Sequence, residues 1–168
     1  PGGGGNFTCL KDGSKCYVGL RKANAVGVID MAKLELMKTI ETGPDANRLY
    51  LNPGNSRYGL FANEAGKSDI VSIIDTQLDV KVKDIWTGLG PHNVAFDPDG
   101  KFAVISTKKE NVATLVDTGS ADPNDWDVIT TDLDSGIQNN GVRWVPSPAA
   151  LKKACLLYTS PSPRDNSG

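Results

Sequence analysis

A unit of 42 to 48 residues recurs along this chain, and it restricts the possible folds more than any other feature. Its most regular marker is an aliphatic pair followed by aspartate, which ends at Asp30, Asp75 and Asp117. A proline-centred turn after an apolar stretch recurs with a similar period at Pro53, Pro98 and Pro146. Repeats of this length are supersecondary units that bury their faces against neighbouring units. The chain is therefore predicted to be an array of stacked units.

The best-preserved copy, residues 93–134, contains four short segments rich in β-branched or aromatic residues. Gly, Pro, Asn or Asp bounds each segment, as is typical of strands and turns. The segments are 93–96, 102–106, 112–118 and 126–129. Four such strands fit one antiparallel blade of a β-propeller. We predict an all-β fold: a β-propeller fragment of about three four-stranded antiparallel blades, not closed, within residues 1–154.

The repeat markers also predict where each blade lies. The blades are expected over residues 6–41, 46–88 and 93–134, and residues 141–148 would open a fourth. Closed propellers contain about four to eight blades. We therefore expect missing blades of the same chain to cover the strand edges and apolar faces of the end blades.

The last residues differ in character from the repeats. From Cys155 to Asp165 the sequence resembles an in-frame translation of an adapter used in sequencing libraries. We expect residues 155–168 to be an adapter-derived artefact and leave them out of the fold. A disordered tail rich in serine and proline is the alternative.

The segment from Gly88 to Lys101 carries a family resemblance. Its pattern Gly-x-x-Pro-x-x-Val-Ala-x-x-Pro-Asp-Gly-Lys, with the later Val116-Asp117-Thr118, resembles the consensus of YVTN propeller repeat proteins. The Tyr-Val-Thr-Asn signature itself is degenerate, as in Val104 to Thr107. The resemblance covers roughly residues 6–148. It implies a propeller and a periplasmic or secreted location.

Two classes of function are compatible with this reading. The first is a scaffold whose loops and channel mouth bind an unknown protein or small-molecule ligand. The alternative, which the resemblance implies, is part of a propeller enzyme: a cytochrome d1-like or copper nitrogen-oxide reductase, or a lactonase-like hydrolase. The sequence names no cofactor and no catalytic residue, because one fold carries many unrelated activities.

His92 and Asn93 are the candidate ligand-binding residues. His92 is the only histidine, and we place it on the connection that enters the innermost strand, near the channel mouth, with Asn93 as the first residue of that strand. A contact to a ligand and a structural role in the turn are both open. One histidine cannot make a metal site, so no metal is assigned.

Two cysteines, Cys9 and Cys16, flank the Asp12-Gly13 turn symmetrically. With a two-residue turn they would form a hydrogen-bonded pair, the wider of the two kinds across an antiparallel ladder. We therefore favour two buried thiols, with a disulfide as the alternative, which would suit an exported protein.

Charge and hydropathy argue against nucleic acid as a partner and against a membrane helix. Lys and Arg total 18 against 20 Asp and Glu, with both signs interspersed, so nucleic acid is not an expected partner. No apolar run approaches the roughly 20 residues of a membrane helix.

Because Asp30, Asp75 and Asp117 recur in every copy, we expect them to hold turns rather than to form one site.

Overall fold

The structure, a computed structural model, describes residues 4–66, 68–110 and 112–134. These residues form three four-stranded antiparallel sheets of consecutive strands, and none of the three closes on itself. The predicted all-β class and the count of four-stranded blades are confirmed. The predicted opening of a fourth blade at 141–148 and the tail at 155–168 lie outside the described residues.

Each sheet is a simple meander. The first contains β1 (Gly4–Cys9), β2 (Lys15–Leu20), β3 (Ala25–Asp30) and β4 (Glu35–Glu41). The second contains β5 (Ala46–Leu51), β6 (Tyr58–Asn63), β7 (Ile70–Asp75) and β8 (Val80–Trp86). The third contains β9 (Pro91–Phe96), β10 (Phe102–Thr107), β11 (Val112–Asp117) and β12 (Asp127–Asp134). No helix in the described part of the chain is long and apolar enough to cross a membrane.

The core lies between the blades. One apolar cluster joins the first and second blades and includes Tyr17, Val28, Leu49 and Phe61. A second cluster joins the second and third blades, where Trp126 meets Tyr58 edge to face with ring centroids 6.0 Å apart. Each large side chain buried in this way contributes roughly 1.5–3 kcal/mol. The middle blade is therefore held on both faces.

A polar contact reinforces the first interface. The Tyr17 ring is fully buried, and its hydroxyl lies 2.5 Å from Asp79 Oδ1 and 2.9 Å from the Thr76 carbonyl oxygen. Lys15 Nζ donates to both carboxylate oxygens of Asp79, at 2.9 and 2.8 Å. Burial raises the pKa of Tyr17 and the Asp79 hydrogen bond raises it further, so the hydroxyl stays protonated. The turn after β7 is thus fixed to the first blade.

The repeated aspartate holds the turn between the third and fourth strands. Asp75 Oδ1 accepts from the backbone N–H groups of Gln77 and Leu78, at 2.9 and 3.0 Å. Asp30 likewise accepts from the backbone N–H groups of the residues two and three positions after it. Asp117 accepts from the N–H of Gly119. The predicted structural role of these aspartates is confirmed.

The hairpin at Asp12-Gly13 differs from the prediction. The backbone N–H of Leu10 donates to the Lys15 carbonyl, so four residues rather than two form the loop. This moves Cys9 and Cys16 onto the next, non-hydrogen-bonded pair, with Cα atoms 3.9 Å apart, and the structure joins them in a disulfide. The preference for two thiols was wrong because the assumed turn was too short.

We expect the disulfide to withstand alkylation. In unreduced protein, iodoacetamide should leave Cys9 and Cys16 unmodified, and after dithiothreitol both should react, as read by peptide mass mapping. Reduction should lower the free energy of unfolding by about 2–3 kcal/mol, because it restores the freedom of a short loop in the unfolded chain. A double variant, Cys9→Ser with Cys16→Ser, should be insensitive to dithiothreitol. Alkylation of both cysteines before reduction would contradict the assignment.

Asp75 should make stability depend on pH. Burial raises the pKa of Asp75, but hydrogen bonds from Arg57 and from the turn N–H groups outweigh burial and hold that pKa below its ordinary value. Asp75→Asn should therefore lower the free energy of unfolding at pH 7 by about 1–3 kcal/mol. Because the pKa of Asp75 is lowered in the folded state, its charge stabilises the fold at pH values above the ordinary carboxyl pKa of about 4. This contribution is lost as the pH falls through the folded-state pKa.

The difference between wild type and Asp75→Asn, measured by urea unfolding, should shrink between about pH 5 and about pH 2. Asp99→Asn, at an exposed position, is the matched control and should give little difference at any pH. A gap for Asp75→Asn that stays constant over this range would rule out the charge of Asp75 as its cause.

Candidate functional site

His92 and Asn93 lie inside β9, as its second and third residues. His92 had been predicted on the connection before the strand and Asn93 at the start of the strand. The connection in fact ends at Gly90, and the strand begins at Pro91, two residues earlier than predicted. Gly90 has a positive φ of 69°, a conformation that glycine adopts without strain, and the strand begins directly after it. Both candidate residues therefore sit on a rigid strand at the end of the blades where the connections between blades lie.

Glu64 is the centre of the polar contacts around His92. It is the first residue after β6, and its side chain is only 4% exposed. Its Oε1 lies 2.8 Å from His92 Nε2 and accepts a 2.5 Å hydrogen bond from Asn47 Nδ2. A buried carboxylate is stable only when such partners replace its water. Glu64 thus links the second blade to the third.

Two cations complete the contacts of this carboxylate. Glu64 Oε2 lies 3.3 Å from Arg21 Nη2 and 3.5 Å from Lys108 Nζ. Arg21, Glu64 and Lys108 are each the first residue after the second strand of their blade, so the repeat itself brings them to the same end. We call Arg21, Asn47, Glu64, His92 and Lys108 the Glu64 cluster.

Arg21 is fixed by a second carboxylate. Its Nε and Nη2 donate to the two oxygens of Asp45, at 2.5 and 2.7 Å. The Asp45 hydrogen bond raises the pKa of Arg21, which stays charged. The N–H of Asp45 is in turn held by the Asn24 side chain, and its carbonyl accepts from the N–H of Glu64. Hydrogen bonds to the backbone of Asp45 and Glu64 therefore fix the positions of these two residues beside Arg21.

Asn47 reaches Glu64 because β5 pairs with β6, where Ala46 lies opposite Asn63. On its other side, β5 passes very close to β2. A Cβ atom on Gly19 would lie 2.3 Å from the Asn47 carbonyl oxygen and 2.4 Å from that of Ala46. No side chain fits in this space, so Gly19 is required for the approach. The same contact places the start of β5 beside the loop that carries Arg21.

The ring of His92 is held at both nitrogens. Nε2 faces Glu64, and Nδ1 lies 3.0 Å from Asn93 Nδ2. Asn93 Oδ1 accepts a 2.5 Å hydrogen bond from the Tyr50 hydroxyl, so its amide nitrogen faces the ring. Burial raises the pKa of Tyr50, which keeps that hydroxyl protonated. In the neutral ring this arrangement puts the proton on Nε2.

The site is an organised cluster of polar and charged side chains. Among the described residues, no group of three or more His, Cys, Asp or Glu is placed to hold a metal ion. Both predicted residues, His92 and Asn93, are brought together with charged groups from three blades. Whether they bind a ligand stays a prediction.

Sequence reasoning missed Asn47 and Glu64. Residue type alone would align Asn47 with Asn93. The strands instead align Asn47 with His92, since each is the second residue of its strand. One signal was present: a charged residue follows the second strand in every copy, at 21, 64 and 108. Their convergence was not visible without the packing of the blades.

Solved structures share this architecture. The hydrazine synthase of Kuenenia stuttgartiensis is 25% identical, with a TM-score of 0.60, over 72% of this chain and 36% of that one. A 6-phosphogluconolactonase described as putative, from Bacteroides fragilis NCTC 9343, is 21% identical with a TM-score of 0.62, over 77% and 39%. The dihydro-heme d1 dehydrogenase NirN, solved in complex with DHE, is 17% identical with a TM-score of 0.63, over 79% and 28%.

These neighbours are β-propeller proteins. The chain has the β-propeller fold. It spans between about a quarter and two fifths of the length of the solved chains it matches. No protein-family model and no curated protein matches the sequence.

Removal of the central charge should destabilise the chain. Glu64→Gln takes the carboxylate away from Arg21, His92 and Lys108, and we expect the free energy of unfolding to fall by about 1–3 kcal/mol. Because the side chain is buried, the loss should persist in 0.5 M salt, about the concentration at which exposed ion pairs are screened. Urea unfolding of wild type and Glu64→Gln, at low salt and in 0.5 M salt, measures this loss.

Glu41→Gln, at an exposed position in β4, is the control and should change stability by less than about 0.5 kcal/mol. A Glu64→Gln variant as stable as wild type would mean that the contacts of Glu64 merely offset the cost of burying it.

Proposed function

We propose that this chain is part of an exported β-propeller of the YVTN type that binds a partner through the loop end around the Glu64 cluster. The observation that carries the proposal is the meeting of Arg21, Glu64 and Lys108, which come from equivalent positions in three blades. A residue that serves the blade alone is expected to be the same in every copy, as the repeated aspartate is. At these three positions, by contrast, Arg21 and Lys108 are cationic and Glu64 is anionic.

The loops that follow these residues support a binding role. They connect the second and third strands, and their sequences differ between the copies: residues 21–24, 64–69 and 108–111. Lys22 and Lys109 are exposed on them, while Glu64 beneath is covered. Variable loops on a rigid frame are where proteins commonly carry recognition. These loops therefore offer exposed lysines to a partner.

The export part of the proposal rests on the Cys9–Cys16 disulfide and on the YVTN resemblance. Disulfides persist in oxidising compartments and are rare in the reducing cytosol. A protein that folds outside the cytoplasm would keep this bond, which joins the first two strands of the first blade.

An enzyme is the second candidate, favoured by the likeness to hydrazine synthase, a lactonase and NirN. In that case His92 is the residue to contact a cofactor or metal. Its Nε2 would first have to leave Glu64, so such binding should compete with the cluster. If His92→Ala leaves copper or haem binding unchanged in the complete protein, His92 has no such role.

The scaffold proposal is tested by quantitative affinity capture from a periplasmic extract of a host that carries the complete gene. The bait variants are Lys108→Glu with Lys109→Glu at the loop end, and Lys11→Glu with Lys101→Glu at the opposite end. A bound partner should be depleted at least about 10-fold by the first pair, since several charged contacts are reversed. It should be retained by the second pair. Equal capture by both pairs would refute a binding surface at the loop end.

A further inference from the structure

Arg48 differs from every other arginine that the structure describes. Arg21 is paired with Asp45 and Arg57 with Asp75. Arg48 is exposed, and no described acidic side chain lies within salt-bridge distance of it. Its guanidinium instead lies over the Tyr50 ring, 5.2 Å from the ring centroid. This places an exposed planar cation over an aromatic face.

The repeat shows that the blade does not need an arginine at this position. Arg48 is the third residue of β5, and the third residues of β1 and β9 are Asn6 and Asn93. Both asparagines bridge first strands: Asn6 Nδ2 donates to Asn47 Oδ1, and Asn93 Oδ1 accepts from Tyr50. Arg48 makes no such bridge among the described residues. Its side chain is therefore available for another role.

A cleft of about 300 Å³ lies next to Arg48, on the first strands of all three blades. Its polar side is formed by Arg48, Tyr50 and Thr8. Its apolar side is formed by Leu51, Val94 and Phe96. This volume is at the lower end of the range for small-molecule sites, which are typically apolar with a few fixed polar groups. A single cation beside an apolar wall fits a ligand with one anionic end and one apolar end.

The polar side of the cleft is held in place before any ligand binds. The Tyr50 hydroxyl donates to Asn93 Oδ1 and lies 3.3 Å from the His92 carbonyl oxygen, so the ring beneath Arg48 cannot turn freely. Thr8 Oγ1 donates to the Leu49 carbonyl at 2.7 Å and ties β1 to β5. A fixed platform reduces the ordering cost of binding.

From these observations we propose that the Arg48 cleft binds a small organic carboxylate with an aromatic or aliphatic body. The carboxylate accepts hydrogen bonds from the Arg48 guanidinium in the planar, two-point geometry that arginine favours. The body of the ligand packs on Leu51, Val94 and Phe96. No residue of the Glu64 cluster lines the cleft, so the site does not depend on the function proposed above.

Benzoate is the first probe, titrated into ¹⁵N-labelled chain and followed by two-dimensional NMR. We expect saturable shifts at the backbone amides of Tyr50, Leu51, Val94 and Phe96, with a dissociation constant in the millimolar range. Benzamide, the neutral analogue, and inorganic phosphate, an anion without an apolar body, should each bind at least about 10-fold more weakly, since each lacks one half of the recognised chemistry. Phosphate binding as tight as that of benzoate would overturn the apolar half of the proposal.

Arg48→Gln should weaken benzoate binding by roughly 10-fold or more, because it removes a charge-assisted pair. Arg57→Gln is the matched control, since Arg57 also lies over a tyrosine ring, 5.1 Å from the centroid of Tyr58, but is already paired. It should leave binding unchanged under conditions where circular dichroism shows the variant folded. Arg48→Lys, which keeps the charge without the planar fork, should bind with intermediate affinity.

Unchanged benzoate affinity in Arg48→Gln would overturn the site, as would shifts confined to residues outside the cleft. The variant Lys108→Glu with Lys109→Glu separates this inference from the proposed scaffold function. It should abolish partner capture yet leave benzoate binding intact. Loss of benzoate binding in that variant would place the anion at the loop end and refute the Arg48 cleft.

Discussion

A single four-stranded sheet of this chain is too thin to enclose its own apolar side chains, and contact between neighbouring sheets supplies the core that each one lacks. The middle blade shows this most clearly. In β6, Leu60 belongs to the cluster shared with the third blade, and Phe61 belongs to the cluster shared with the first. Alternate residues of one strand thus serve two interfaces. The core, and every polar contact between blades, therefore depends on blade stacking.

Polar contacts fix how the stacked blades are aligned. At one end of the blades, Asp79 holds Lys15 and Tyr17, and at the other Glu64 holds groups from three blades. Apolar packing alone is tolerant of small displacements, whereas hydrogen bonds to a buried carboxylate are lost with a displacement of about 1 Å. Because an unpaired buried charge is costly, these contacts favour one arrangement of the blades over its neighbours.

Repetition also separates structural residues from candidates for function. The aspartate at 30, 75 and 117 makes the same turn contacts in each blade, so its recurrence has a sufficient structural cause. Arg48 departs from the asparagines at equivalent positions, and Glu64 departs in sign from Arg21 and Lys108. A departure inside an otherwise regular array calls for a local reason. Both departures lie where residues of neighbouring blades meet.

The sequence by itself determined the all-β class, the four strands of each unit and the structural role of the repeated aspartate. These depend on local pattern, turn chemistry and period, which neighbouring residues decide. Only the tertiary structure decided that Glu64 meets His92, that Arg48 stands beside an apolar cleft, and that Cys9 faces Cys16 across a narrow pair. The first two contacts join residues from different blades, so the packing of the blades brings them together. The third depends on a loop that is one residue longer at each side than the turn chemistry predicted. Sequence period alone decides none of the three.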